Sequence, residues 1–268
     1  STLKNLNAGA EGYNTAVGAD AGRNVNTGVN NTLVGFESGH DISSGTGNTF
    51  LGANAGDKTD DGANNVAIGY DALGANCGNE NTAVGASALS STTSDQNTAV
   101  GHSAGFSLTN VSGGTFIGHD AGQFATTAAN NTFVGAFCGG TTATGAQNTA
   151  MGVTALNEGT AGTGNCAFGG GALEACAGGE VNTAIGQDAG TNVTSGSNNS
   201  FVGSNAGITG SPGGNFTSGS NVVVIGDQSI GAAHIQVDWT VASDQRDKTD
   251  FTDLDLGLDF VKALAPVT

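Results

Sequence analysis

Ser243 and Lys248 stand five residues apart in the run Ser243-Asp244-Gln245-Arg246-Asp247-Lys248. A serine hydroxyl becomes a useful nucleophile when a neighbouring group takes its proton, and a desolvated lysine is able to do so. The same run would equally serve as a solvated, charged turn. His102 and His119 each follow a glycine at the same point of a recurring pattern. On adjacent stacked strands they would lie about 5 Å apart, within reach of a shared metal ion. Recurrence at a tolerant, exposed position explains the pair as well, and no metal is expected. Cys77, Cys138, Cys166 and Cys176 contain no C-x-x-C pair and have no histidine cluster beside them, which argues against a zinc site. Cys138 and Cys166 stand where other copies of the pattern carry Ala, Ser or Thr, so they read as small residues in small sites. Asp20, Asp71, Asp120 and Asp188 recur two residues after a glycine, but the Gly-Gly-x-Gly-x-Asp nonapeptide of calcium-binding β-rolls is missing. Solubility is the expectation for them. No pair of carboxylates suited to glycoside hydrolysis can be picked out, and Asp60-Asp61 reads as a turn. Trp239, the single tryptophan, is expected to pack internally, with an exposed carbohydrate platform as the alternative. Neither a cofactor nor a metabolic activity is expected.

The pattern that carries these residues is a repeat. Asn-Thr-apolar-(Val/Ile)-Gly-x-x-(Ala/Ser)-(Gly/Leu) reads NTAVGADAG from Asn14, NTLVGFESG from Asn31, NTFLGANAG from Asn48 and so on to NSFVGSNAG from Asn199. Its glycines, from Gly18 to Gly203, are spaced by 17, 17, 17, 16, 16 and then 17 residues. A further gap of 23 leads to Gly226, where the pattern changes. With 47 glycines but only two prolines, and no glycine at every third position, the chain is not collagen-like. Apolar residues, at 37% and in regular positions, argue against disorder. The net charge is −17 and the six basic residues are scattered, so no phosphate-binding patch exists and nucleic acid is not an expected partner. No stretch approaches membrane-spanning length, so membrane insertion is not expected. The first residues do not read as a signal peptide.

Glycine, Asn, Thr and β-branched residues each oppose a helix. Seventeen residues suit one coil of a parallel β-solenoid with two short strands and two turns. The first strand is Asn-Thr-x-Val-Gly, and a weaker second one is expected at Asn24-Val25-Asn26, Ser107-Leu108-Thr109 and Asn192-Val193-Thr194. Equivalent residues would stack into ladders, threonines in one and asparagines in another, with the asparagine amides pairing between coils. Strand residues alternate between faces. The threonines and Val17, Val34, Leu51 and Ile68 would share one face, and Ala16, Leu33, Phe50, Phe116, Phe133 and Phe201 the other. A coil this small would cover one face with its own chain, and the Ala/Phe row is expected to line a three-fold axis between sister chains. A homotrimer follows.

The Asn-Thr-Ala-Val-Gly unit, over roughly residues 14–207, resembles the head repeats of trimeric autotransporter adhesins. Their Ser-(Val/Thr)-Ala-Ile-Gly signature builds a left-handed parallel β-roll trimer from a repeat shorter than seventeen residues. Similar repeats occur in phage tail fibres. Residues 243–268, with Ser243-Asp244-Gln245-Arg246-Asp247-Lys248 and then Leu254-Asp255-Leu256-Gly257-Leu258-Asp259-Phe260-Val261 and Leu264-Ala265-Pro266-Val267, resemble the start of the intramolecular chaperone domain of phage tail spikes and tail fibres. That resemblance implies trimeric folding followed by self-cleavage beside Ser243, with Lys248 as its base. The expected organisation is therefore solenoid repeats over 1–219, a β-rich neck over 220–242 and the start of the chaperone domain over 243–268. Leu256, Phe260, Val261 and Leu264 fall at helical spacing before Pro266, which predicts a helix over 255–264. Taken together these features predict a structural and host-receptor-binding segment of a virion tail fibre, working outside the cell. It would meet a host cell-surface glycan or protein and other tail proteins. A polysaccharide-degrading tailspike, a bacterial surface adhesin head and an ice-binding solenoid with a threonine ladder are the alternatives.

Overall fold

Each Asn-Thr-x-Val-Gly segment places one three-residue strand in a single parallel sheet. In the computed structural model, which describes residues 2–4, 12–141, 144–159, 161–232 and 234, thirteen such strands stack in strict chain order. They are β1 (Thr15–Val17), β2 (Thr32–Val34), β3 (Thr49–Leu51), β4 (Val66–Ile68), β5 (Thr82–Val84), β6 (Thr98–Val100), β7 (Thr115–Ile117), β8 (Thr132–Val134), β9 (Thr149–Met151), β10 (Cys166–Phe168), β11 (Thr183–Ile185), β12 (Ser200–Val202) and β13 (Val223–Ile225). The register is in phase with the repeat: Thr15 faces Thr32, Ala16 faces Leu33 and Val17 faces Val34, and β12 still pairs residue for residue with β13 across the longer gap. The described residues form an all-β parallel β-solenoid. At the usual strand spacing the sheet runs for roughly 55–60 Å. Within the β-rich neck expected over 220–242, Val223–Ile225 is β13 and pairs with β12 in the same sheet, while the neck beyond residue 234 lies outside the described residues.

The chain divides into two units, Ser1–Ile230 and Gly231–Thr268. Of the second, only residues 231, 232 and 234 are described. The expected C-terminal helix over 255–264, Trp239, and both Ser243 and Lys248 lie outside the described residues.

The second strand is not formed among the described residues. The wall after each signature glycine is instead a run of overlapping turns. Ala21, Arg23 and Val25 N–H groups donate to the carbonyls of Gly18, Asp20 and Gly22 in their own coil, while Gly22 and Asn24 N–H groups donate to Ser38 and His40 of the next coil, at 2.9 Å each. Such a path needs left-handed backbone at alternate residues, and Asp20, Asn54, Asp71, Asp120 and Asp188 all have φ between 54° and 59°. Asp and Asn accept that region more readily than most residues, which accounts for their recurrence two places after the glycine.

A ladder of buried asparagines ties coil to coil. The Asn165 N–H donates to Asn148 Oδ1 at 2.8 Å, and Asn148 N–H to Asn131 Oδ1 at 2.7 Å. The Asn148 side-chain amide donates to the Gly162 carbonyl of the following coil at 2.9 Å. The expected amide-to-amide pairing occurs only in places, as between Asn182 and Asn165 at 3.1 Å. The main partners are backbone groups. The ladder loses its side chain at Gly114, where a Cβ would stand 2.7 Å from Phe116 Cζ and closer still to Cε2. Asn148→Ala leaves the buried Asn165 N–H and Gly162 carbonyl without these partners and should lower stability by about 2 kcal/mol. Urea unfolding followed by circular dichroism measures this.

The central residue of each strand points into the coil. Leu33, Phe50, Phe116, Phe133 and Phe201 are fully buried within this one chain, and Ala16 is partly buried against the same core. The expected role of this row at a three-fold axis is therefore corrected. Each coil closes over its own row, because the turn run folds back across it and adds a second inner row: Ala21, Ala55, Ala72, Ala104, Ala121 and their equivalents.

The two rows share volume. Where the strand centre is Phe or Leu, the residue six places later is glycine, as in Leu33/Gly39, Phe50/Gly56, Phe116/Gly122, Phe133/Gly139 and Phe201/Gly207. Where that later residue is leucine, the strand centre is alanine, as in Ala67/Leu73, Ala83/Leu89, Ala150/Leu156 and Ala167/Leu173. A Cβ on Gly56 would stand 2.6 Å from Phe50 Cζ, so the large residue occupies the space its glycine leaves. Ala99/Gly105 and Ala184/Gly190 are small at both places and lie between a leucine coil and a phenylalanine coil. A Cβ on Gly190 would meet Leu173 at 3.0 Å and Phe201 at 2.8 Å. The stack thus interlocks large and small groups across several coils, in the manner required for close packing.

Candidate functional site

Turning the strand centres inward turns their neighbours out. Each strand presents its first and third residues on the open face of the sheet, so threonines form one outer row and Val17, Leu51, Val100, Ile117, Met151, Ile185, Val202 and Ile225 the other. The second row is unusually open for apolar side chains: Val17 is 59% exposed, Leu51 48%, Ile117 39% and Met151 47%. Strand pairing holds both rows in phase.

Immediately beyond this face the chain turns at the signature glycine. The next residue, at the corner, is exposed in Phe36, Tyr70, Val153, His102 and His119. The tight stacking of the glycines sets the spacing of these corner residues. Gly118, at φ 136°, lies so close to the next coil that a Cβ would stand 2.5 Å from the Gly135 carbonyl oxygen.

His102 and His119 are stacked there, with ring centroids 5.1 Å apart and planes 13° from parallel. The Phe137 ring meets His119 edge-on at 5.3 Å. Asp120 completes the group: its Oδ2 lies 3.1 Å from His119 Nδ1 and its Oδ1 3.9 Å from His102 Nδ1. One nitrogen of each histidine and one oxygen of Asp120 lie within 4.8 Å of one another. Sequence spacing pointed to the two histidines, but not to the aspartate, whose left-handed turn (φ 55°) carries the carboxylate to the histidine side chains. The signal available was that Asp120 directly follows His119, whereas Ser103 follows His102 and lies 3.1 Å from its Nδ1.

Cys77, Cys138 and Cys176 are buried and Cys166 half-buried, all as free thiols. Burial pushes the Cys77 thiol up to about 11 and the Cys138 thiol up to about 12, and raises Cys166 and Cys176 as well. Thiols held protonated in this way are poor nucleophiles and poor metal ligands. Cys138 donates to the Ala150 carbonyl at 3.3 Å. It takes the inner place held elsewhere by alanine.

Among the described residues no helix is long and apolar enough to cross a membrane. No protein-family model, curated protein or solved structure matches the chain. Class is therefore defined by architecture: a single-sheet parallel β-solenoid with a partly apolar outer face.

Proposed function

We propose that the chain is a structural and host-receptor-binding segment of a homotrimeric phage tail fibre, in which the open sheet face of each chain packs against two sister chains. The observation that carries this reading is the outward row from Val17 to Ile225. An apolar row of this length along one sheet face is the kind of surface that proteins cover, and hiding it stabilises association in proportion to the apolar area removed from water. The trimer axis thus moves from the Ala/Phe row to the Val/Ile row. The stacked coils supply length and stiffness, and corner residues such as Phe36 and Tyr70 supply a surface for a host glycan or protein. Residues 243–268 support the same reading through their resemblance to the chaperone domain, with Ser243 and Lys248 as the self-cleavage pair. Other tail proteins at its ends and a working place on the virion belong to the proposal.

Native mass measurement tests it. The expected mass is that of three chains. Replacing Val100, Ile117 and Val134 together by Glu should give single chains that keep the solenoid circular dichroism spectrum, because these side chains do not contribute to the interior. A wild-type chain that runs as a monomer at micromolar concentration, or a triple variant that remains trimeric, would overturn the proposal. The threonine row beside the apolar one favours a second reading, a regular ice-binding face. It predicts a monomer with thermal hysteresis, and the same mass measurement separates the two.

A further inference from the structure

We propose that His102, His119 and Asp120 form a binding site for a borderline divalent transition ion such as Zn²⁺, spanning the coils that carry β6 and β7. Two imidazoles and a carboxylate are a donor set suited to that class of ion, whereas Mg²⁺ and Ca²⁺ favour oxygen ligands.

Geometry carries the assignment. Around tetrahedral zinc, with bonds of about 2.0–2.2 Å, neighbouring donor atoms lie roughly 3.2–3.5 Å apart. The His119 Nδ1 to Asp120 Oδ2 distance of 3.1 Å already approaches this, and His102 Nδ1 stands 3.9 Å from Asp120 Oδ1. Closing the remainder needs a small swing of His102, whose side chain is 59% exposed, with the ion replacing the contact of its Nδ1 with Ser103 Oγ at 3.1 Å. The ring stack meanwhile keeps both imidazoles on the same side of the corner.

A second observation points the same way. Asp120 Oδ1 is buried, yet it has no hydrogen-bond partner. A buried carboxylate oxygen without a partner is costly, and a cation held between the two rings would supply the missing one. The aspartate is also anchored from behind, since its N–H donates to the His102 carbonyl at 3.0 Å. One backbone bond thus links the carboxylate-bearing residue directly to the residue carrying the first imidazole. Phe137 flanks His119 on the side away from His102 and limits how far that ring can turn. Three donors leave at least one coordination position open to water or to an external ligand.

Both histidines can be removed without disturbing the coil. The same corner is alanine at Ala19, Ala53, Ala86 and Ala136, so His102→Ala and His119→Ala reproduce residues the stack already accommodates. Titration calorimetry of the full chain with ZnCl₂ at pH 7.5 should give one ion per chain. Each alanine variant, and Asp120→Asn, should weaken binding by about tenfold or more. Binding should fall away as the pH drops and protons displace the ion from imidazole. Bound zinc should also raise the melting temperature of the wild type, but not that of the His102→Ala/His119→Ala double variant, because only the native pair clasps the two coils. Three results would each overturn the site: no saturable binding at millimolar zinc, equal affinity in the double variant, or equally tight binding of Ca²⁺. A double variant that loses zinc but keeps the wild-type melting temperature without metal is the result expected here, and it separates lost ligation from lost folding.

Discussion

Gly118→Ala should destabilise the solenoid by on the order of 4 kcal/mol or more, although it adds one methyl group. Two costs combine. The backbone at Gly118 has φ 136°, a region that side chains avoid, and the added Cβ would lie 2.5 Å from the carbonyl oxygen of Gly135 and 2.6 Å from its carbon. Those are main-chain atoms of the next strand corner, and they cannot rotate away as a side chain would. Relief would require the coils to separate, which breaks the bond from the Gly135 N–H to the Ile117 carbonyl, 2.8 Å in the native stack. In a solenoid each coil contacts only its neighbours, so the defect should open the stack locally between β7 and β8 before either half melts. Thermal circular dichroism should show a lower first transition. Limited proteolysis should give new cleavage close to residue 118. Gly178→Ala is the matched control: its Cβ would meet nothing within 4 Å, and its melting curve should overlay the wild type. A Gly118→Ala protein that melts like that control would mean that the close stacking of the signature glycines is not what fixes the coil spacing.

The repeat length, the parallel stacking and the position of the strand were all legible in the residues, because a Thr-x-Val-Gly unit recurring every seventeen residues leaves few other ways to pair. The direction in which the strand faces is the reverse of the one expected, though the residues carry the information. Phe at the strand centre always occurs with Gly six residues on, and Leu at that later place always occurs with Ala at the centre. Two positions trade volume in this way only when they fill the same space, and that places the Ala/Phe row inside its own coil. A row facing sister chains would have no reason to follow its own turn. The expected second strand failed for a different reason. Val25, Leu108 and Val193 are buried as an inner strand residue would be, but the Val25 N–H closes a turn onto the Gly22 carbonyl, and the Asn26, Thr27 and Gly28 N–H groups all converge on the single Ser43 carbonyl of the next coil, so no strand ladder forms there. The metal-site residues were half legible. Stacking of His102 on His119 follows from the period, whereas the approach of Asp120 depends on a left-handed turn that spacing alone does not reveal.

That exchange of volume gives a second large effect. Gly139→Leu alone should cost about 3–5 kcal/mol, since the new side chain would overpack the Phe133 site; its Cβ would stand 2.7 Å from Phe133 Cγ and closer still to the ring edge. Left-handed backbone is not the obstacle. Leucine occupies the equivalent place with φ between 50° and 53° at Leu73, Leu89, Leu156 and Leu173. Phe133→Ala alone should also cost about 3–5 kcal/mol, through the cavity it leaves beside Phe116, whose ring lies 5.8 Å away. Made together, the two changes convert the coil to the Ala/Leu type. The stack would then run from the Phe116/Gly122 coil into Ala/Leu and on to Ala150/Leu156, and both kinds of junction exist already, at Phe50 to Ala67 and at Ala67 to Ala83. The double variant should therefore recover to within about 1–2 kcal/mol of the wild type, with a coupling of several kcal/mol in the cycle, far above the near-additivity of independent sites. Chemical denaturation of the four proteins measures it. Additive losses would mean that the strand centre and the turn glycine do not share one cavity, and the inward orientation of Phe133 would fall with them. Because the outer Thr132 and Val134 are untouched, the cycle reports on the interior of one chain, whatever covers the open face.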